Sequence, residues 1–364
     1  MVKRNPLLGA PTLSWVSLFL ALGLLGGSCK STQPINPSTG VPIGAVKGFG
    51  FSPQGFPGDF GKTPEFFTEL KTIPNGGVMW SGPWRDDEVD GSDAGMIPTA
   101  AVATMQSAAL AGVTPIIVFG WRSETTLYLK VPSNSVNNWT NADAESLFLS
   151  MLVQFAVVYR PPFLFLGNET DFYYEQDVTD YANWVRVYQA AFDTLKKVSP
   201  MTRVGTIFSY EHMAGAGGLV GWIMPRWGAL TGHDLKTIDV VGITSYPWFH
   251  FRMATDVPSN YFNALKVRIP ITPIAITETG WPAESLGGLT PLWETSPAAQ
   301  VVYLDELEDA LKGMNVAILN WLFLHQMVDP GGSTDEWKLF GSVSLRDSLG
   351  QKRPVYDSWV GYLP

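Results

Sequence analysis

Along most of the chain, short runs of apolar, β-branched and aromatic residues alternate with longer stretches in which apolar residues recur every three or four positions. The first kind of run marks a strand buried on both faces, and the second an amphipathic helix. Eight strand-like runs stand out: VKGFGF (46–51), GGVMWS (76–81), TPIIVFG (114–120), FLFLG (163–167), RVGTIFS (203–209), DVVGIT (239–244), PIAIT (273–277) and VAILNW (316–321). They begin about 30 to 50 residues apart, the size of a strand plus a crossover helix. The helices between them have readable ends. Before the last run, Ser296 is a good N-cap, Pro297 suits the first helical position and Gly313 a C-terminal stop, with Val301, Leu304, Leu307 and Leu311 along one face. An earlier helix opens near Asp177 or Thr179 and turns Tyr181, Trp184, Tyr188, Ala191 and Leu195 inward.

Eight such strands separated by helices predict an α/β chain with one domain, a closed (β/α)8 barrel of the TIM type over 46–364. An open doubly wound sheet is the structural alternative. Against it, no GxGxxG turn follows the first strand and no P-loop occurs; the glycine-rich MAGAGGLVG (213–221) follows the fifth strand and reads as a loop. After the eighth strand, the segment 339–359 holds a turn at Gly350, then Pro354 and a final helix with Tyr356 and Trp359.

Composition narrows the partner. The chain is 46% hydrophobic and only 16% charged, with 14 tryptophans, so aromatic surfaces that stack on a ligand are expected. A net charge of -9 argues against a nucleic-acid backbone, which needs a concentrated positive field. At the N-terminus, Lys3 and Arg4 precede an apolar run at 13–25 that is short for a membrane span and ends in LLGGSCK. Residues 1–28 therefore read as an export signal resembling that of bacterial lipoproteins, with Cys29, the only cysteine, as the lipidated first residue of the mature protein. Residues 29–45 read as a polar tether rich in proline, serine and threonine. The expected location is the bacterial cell envelope, with membrane contact only through the anchor at Cys29; a plain secretory signal is the alternative.

Candidate chemistry lies where strands end, because the βα loops of such a barrel carry its active site. In LFLGNETDFYY (164–174) the apolar run stops at Glu169, and in PIAITETGWPA (273–283) Glu278 holds the same kind of place after the seventh strand. Two glutamates at one mouth suit glycoside hydrolysis: at about 5 to 5.5 Å they would favour retention, at wider spacing inversion. A lone carboxylate there would more often be a helix cap. Trp80, Trp84, Trp121, Trp248 and Trp281 all follow strands and offer stacking faces for sugar rings, and Arg85 and Arg122 offer contacts to sugar or carboxylate. Glu211 and His212 are the nearest approach to a metal site, but the four histidines show no ligand spacing, and neither metal nor cofactor is expected.

The phrases GNE after strand four and TETGWP after strand seven resemble the clan A retaining glycoside hydrolases, the 4/7 superfamily, and within it the arabinogalactan endo-β-1,4-galactanases and, in ETGWP, the endo-β-1,3-glucanases. The resemblance implies Glu169 as acid/base and Glu278 as nucleophile. It further implies Asn168 on the sugar 2-hydroxyl, Tyr246 holding the nucleophile ionised, and Trp321 as floor for the reacting sugar. The expectation is then a monomeric retaining β-glycanase, endo-acting on a polysaccharide or oligosaccharide, with a catalytically silent glycan-binding barrel or a transglycosidase as the alternatives.

Overall fold

The computed structural model describes residues 44–85, 97–122, 137–285, 294–329, 331 and 335–362. The predicted export signal, Cys29 and nearly all of the tether lie outside the described residues. All eight expected strands are present: β1 (Val46–Gly50), β2 (Gly76–Pro83), β3 (Thr114–Gly120), β4 (Phe163–Leu166), β5 (Arg203–Ser209), β6 (Val240–Ser245), β7 (Ile274–Thr279) and β8 (Val316–His325). Each pairs in parallel with its successor, and β8 pairs with β1, closing an eight-stranded barrel with helices between the strands, a (β/α)8 fold. A short ninth strand, β9 (Ser344–Arg346), lies beside the far end of β8. Because β8 runs on past the rim to meet it, Trp321 stands in mid-strand and not near the strand end as the sequence suggested.

Alternation along the strands builds two cores. Val46, Met79, Ile116, Val118, Phe163, Phe165, Ile207, Val240, Ala275 and Ile318 fill the barrel interior. The other parity, including Phe49, Trp80, Ile117, Leu164, Val241 and Leu319, packs under the helices with their apolar stripes. The caps are as the sequence indicated. Ser296 Oγ accepts from the Ala299 amide at 3.0 Å ahead of helix Pro297–Leu311, and Asp177 accepts from the Thr179 and Asp180 amides at 3.1 and 2.9 Å ahead of helix Val178–Val198. Helix Ala142–Tyr159 has the length and hydropathy of a membrane span, but Phe148, Met151, Leu152 and Phe155 bury one face against the wall.

Beyond β9, the final helix Val355–Gly361 returns to β1. There the buried Lys47 ammonium donates to the carbonyls of Trp359 at 3.0 Å, Val360 at 2.6 Å and Tyr362. This satisfies carbonyls that a helix C-terminus leaves without partners.

Candidate active site

At the end of β4 the chain must turn sharply under a packed wall. Gly167 has φ +82°, and a Cβ there would lie 2.5 Å from Thr170 Cγ2 and 2.7 Å from Trp121 Nε1, so only glycine fits. Two residues on, Glu169 is left-handed as well, with φ +48°, a conformation that costs a non-glycine residue of the order of 1 kcal/mol or more and concentrates at functional sites. Asn168, buried between them, has an Oδ1 that accepts no hydrogen bond among the described residues.

β7 delivers the second carboxylate by a bulge. Ala275 faces the barrel interior, so strict alternation would send Thr277 inward and Glu278 out toward the helices. Instead the register against β6 slips between Ile243 and Thr244: Ile243 lies opposite Ile276, but Thr244 lies opposite Glu278. The extra residue reverses the parity. Glu278 then shares the face of Thr244 and Tyr246, while Thr279 turns outward to hydrogen-bond the Tyr303 hydroxyl on helix Pro297–Leu311.

β6 and the residue after it hold both acids. Thr244 Oγ1 donates to Glu169 Oε1 at 2.7 Å, and the Tyr246 hydroxyl donates to Glu278 Oε2 at 2.9 Å. Glu169 and Glu278 thus meet at one mouth, each bonded to a residue at the end of β6. Both are partly reachable by solvent. Burial raises the Glu169 carboxyl well above the usual carboxylate range and the charge of Glu278 raises it further, against the pull of Thr244 and Arg122. Burial pushes Glu278 up to about 7, opposed by the Tyr246 hydroxyl. Of the two, Glu278 gives up its proton first, near neutrality, and its charge then helps Glu169 to hold its own.

A second layer fixes the loops that carry the site. Asp171 Oδ1 accepts from the Ser209 amide at 2.7 Å, and its Oδ2 lies 2.6 Å from His212 Nδ1. His212 Nε2 lies 2.7 Å from Glu175, which also pairs with Arg226. The ring of Phe172 stacks on His212 at 4.0 Å and carries the Arg122 guanidinium at 5.6 Å. Glu211, fully buried, accepts from Ser245 and Tyr261, each at 2.8 Å. Both nitrogens of His212 and one oxygen of Glu211 are engaged in this way, and no cluster of three or more potential metal ligands occurs among the described residues.

No family model matches the sequence, and no curated protein does. Solved structures do match it. The chain is similar to a β-D-glucuronidase of Dictyoglomus thermophilum, at TM-score 0.54 and 11% identity over 88% of this chain and 50% of that one. It is also similar to an exo-β-1,4-mannosidase from Opitutaceae bacterium strain TAV5, at TM-score 0.61 and 13% identity over 89% and 60%. A family 39 glycoside hydrolase from Bacteroides cellulosilyticus WH2 matches at TM-score 0.55 and 14% identity over 86% and 62%. At such identities the likeness is one of fold, and the chain spans about half to three fifths of these neighbours' length.

The tryptophans require a correction. Trp80, Trp84, Trp121, Trp248, Trp281 and Trp321 are each no more than 2% exposed. Trp121 sits among Trp139, Tyr173 and Trp184, and Trp80 stands edge-on to Phe119, between strands and helices. Trp281 packs on Tyr303 and donates to the Glu294 carbonyl. Trp321, expected as the floor for a sugar, lies between Tyr303 and Trp359 of the outer helices. Its pairing with Phe49 puts it on the outward parity of the barrel wall. These rings stabilise the wall and offer no open stacking face. Arg85 is likewise buried, its guanidinium 5.3 Å over the Trp84 ring. Sequence reasoning missed Thr244, which differs from any other strand threonine only by its register opposite the bulge.

Proposed function

We propose that the protein is a β-glycoside hydrolase that works with retention of configuration by double displacement on a polysaccharide or oligosaccharide. The observation that carries this reading is the placement of two carboxyls, Glu169 and Glu278, at one barrel mouth, each accepting a hydroxyl hydrogen bond from the end of β6, with the charge of Glu278 raising Glu169. Glu169, protonated, gives its proton to the glycosidic oxygen as Glu278 attacks the anomeric carbon; the bond to the leaving sugar breaks and a glycosyl ester forms. With the charge of Glu278 consumed, one cause of the raised Glu169 pKa disappears, and Glu169 can take a proton from water. That water attacks the anomeric carbon and releases Glu278. The fold shared with glycosidases supports the reading, as does the unpartnered Asn168 Oδ1 beside the acid, a ready acceptor for a sugar hydroxyl.

The test is release of reducing ends from a panel of β-glycans and aryl β-glycosides, with the anomer of the first product read by proton NMR. Glu169→Ala should lose hydrolysis of poor leaving groups and recover turnover of activated aryl glycosides with azide, while Glu278→Ala should be inactive. An inverted first product, or wild-type levels of cleavage in both variants, would refute the mechanism.

A further inference from the structure

The end of the barrel opposite the two glutamates carries the three most exposed large apolar side chains among the described residues, Ile271, Leu110 and Val267. In a parallel barrel every strand starts at this end, and the helices finish there. Leu110 and Val158 lie in the last turns of helices Thr99–Ala111 and Ala142–Tyr159 and are 80% and 44% exposed. Met201, just before β5, is 63% exposed, and Val267 and Ile271, just before β7, are 78% and 85% exposed. Single exposed apolar side chains are ordinary, but several sharing one end of a barrel are a surface. The same end carries exposed Lys71, Arg160, Lys197 and Lys266 on a chain whose net charge is -9, against the exposed acids Asp234 and Asp309, the latter already paired with Lys312.

The route of the chain indicates what covers this surface. Residue 44 enters β1 here, so the 43 preceding residues, with their apolar run and Cys29, join the fold at this end. From Cys29 to Val46 is 46 − 29 = 17 residues. A relaxed linker of that length spans about 20 to 25 Å, short enough to hold this face close to any bilayer that holds Cys29. Apolar side chains ringed by lysine and arginine are the chemistry of an anionic lipid surface.

We propose that the N-terminal end of the barrel rests on an anionic membrane, with the two glutamates facing away from it. This inference is independent of the catalytic reading. The membrane end presents Met201 and the opposite end Met224, in the loop after β5; the two are equally exposed, at 63% and 64%. The full chain, placed in vesicles of about three parts phosphatidylcholine to one part phosphatidylglycerol, is footprinted with hydroxyl radicals. The ratio of Met201 to Met224 oxidation should fall at least threefold or so below one, because a side chain seated in the interface is hidden from water. The double variant Val267→Asp, Ile271→Asp should return the ratio toward one. Equal oxidation of the two methionines in vesicles, or protection of Met224 instead, would overturn the proposal. A low ratio in detergent alone together with a doubled mass by light scattering would also overturn it, assigning the face to a second copy of the chain.

Discussion

The hydroxyls of Thr244 and Tyr246 each bond one member of the carboxyl pair, so removing them should move opposite limbs of the pH profile. Each hydroxyl donates to a carboxylate, which favours the ionised form; a hydrogen bond to a charged group contributes about 1.5 to 3 kcal/mol. At 1.36 kcal/mol per pKa unit, its loss raises the partner's pKa by about 1 to 2 units. Tyr246→Phe should therefore lift Glu278 from about 7 and carry the acid limb of kcat/KM upward by that amount, since the attacking group must be ionised. Thr244→Val should lift Glu169, which must be protonated to act, and carry the alkaline limb upward, widening the bell that Tyr246→Phe narrows. Thr244→Ser keeps the donor and should restore the wild-type profile. The assay is initial rates across pH on an aryl glycoside, with carbon-13 NMR of labelled glutamate in the Glu278→Gln variant as a direct titration of Glu169. If Thr244→Val moves the acid limb, the two roles are exchanged. If neither variant moves either limb, the hydrogen bonds do not set the protonation states and the reasoning fails.

Glu211 is wholly buried and pushed up to about 7 from 4.5, mainly by burial, so its protonated form stabilises the fold below pH 4.5 and that contribution is lost as pH rises through 7. Glu211→Gln should then match wild type in thermal unfolding near pH 4 and exceed it by about 3 kcal/mol above pH 8, as 2.5 units at 1.36 kcal/mol imply; equal gains at both ends would refute the titration. Lys47→Met removes the donor to three carbonyls at the end of the final helix and should cost about 2 kcal/mol in urea unfolding, with faster proteolysis of the last helix than of the barrel. Trp121→Ala should cost about 3 to 5 kcal/mol of stability, whereas Trp121→Phe should leave KM essentially unchanged; a large rise in KM for the phenylalanine variant would return Trp121 to the substrate.

The barrel was legible because its signal is repeated and local. Each strand is a short run buried on both faces, each crossover helix has its own stripe and caps, and eight repeats leave few other ways to bury so much apolar surface. The tryptophans misled for the opposite reason. A tryptophan near the end of a strand-like run carries no mark of which face of the barrel it takes, and here the wall took Trp80 and Trp321 within strands and Trp121 and Trp281 beyond them. Positions alternate in and out, and one residue of register decides between a cleft and a packed core.

The same parity governs the site itself. Reading β7 by alternation from Ala275 would have hidden Glu278 beneath the helices and turned Thr277 into the barrel. The bulge that corrects this shows only in the pairing of Thr244 with Glu278, a contact between positions 34 residues apart. The left-handed turn at Glu169 has a local cause that can be read in hindsight, since Gly167 is where β4 stops. What fixes the carboxylate, however, is Thr244, which lies 75 residues further along the chain. One extra residue in β7 thus turns Glu278 toward the barrel mouth and sets Thr244 opposite it, joining the two acids in a single hydrogen-bonded arrangement. Deleting Thr277 should therefore leave Glu278 opposite Thr244 and facing the barrel mouth, now by plain alternation from Ala275, so that the variant keeps turnover above that of Glu278→Ala; turnover no higher than Glu278→Ala with unchanged circular dichroism would show that strand parity does not decide where this side chain points.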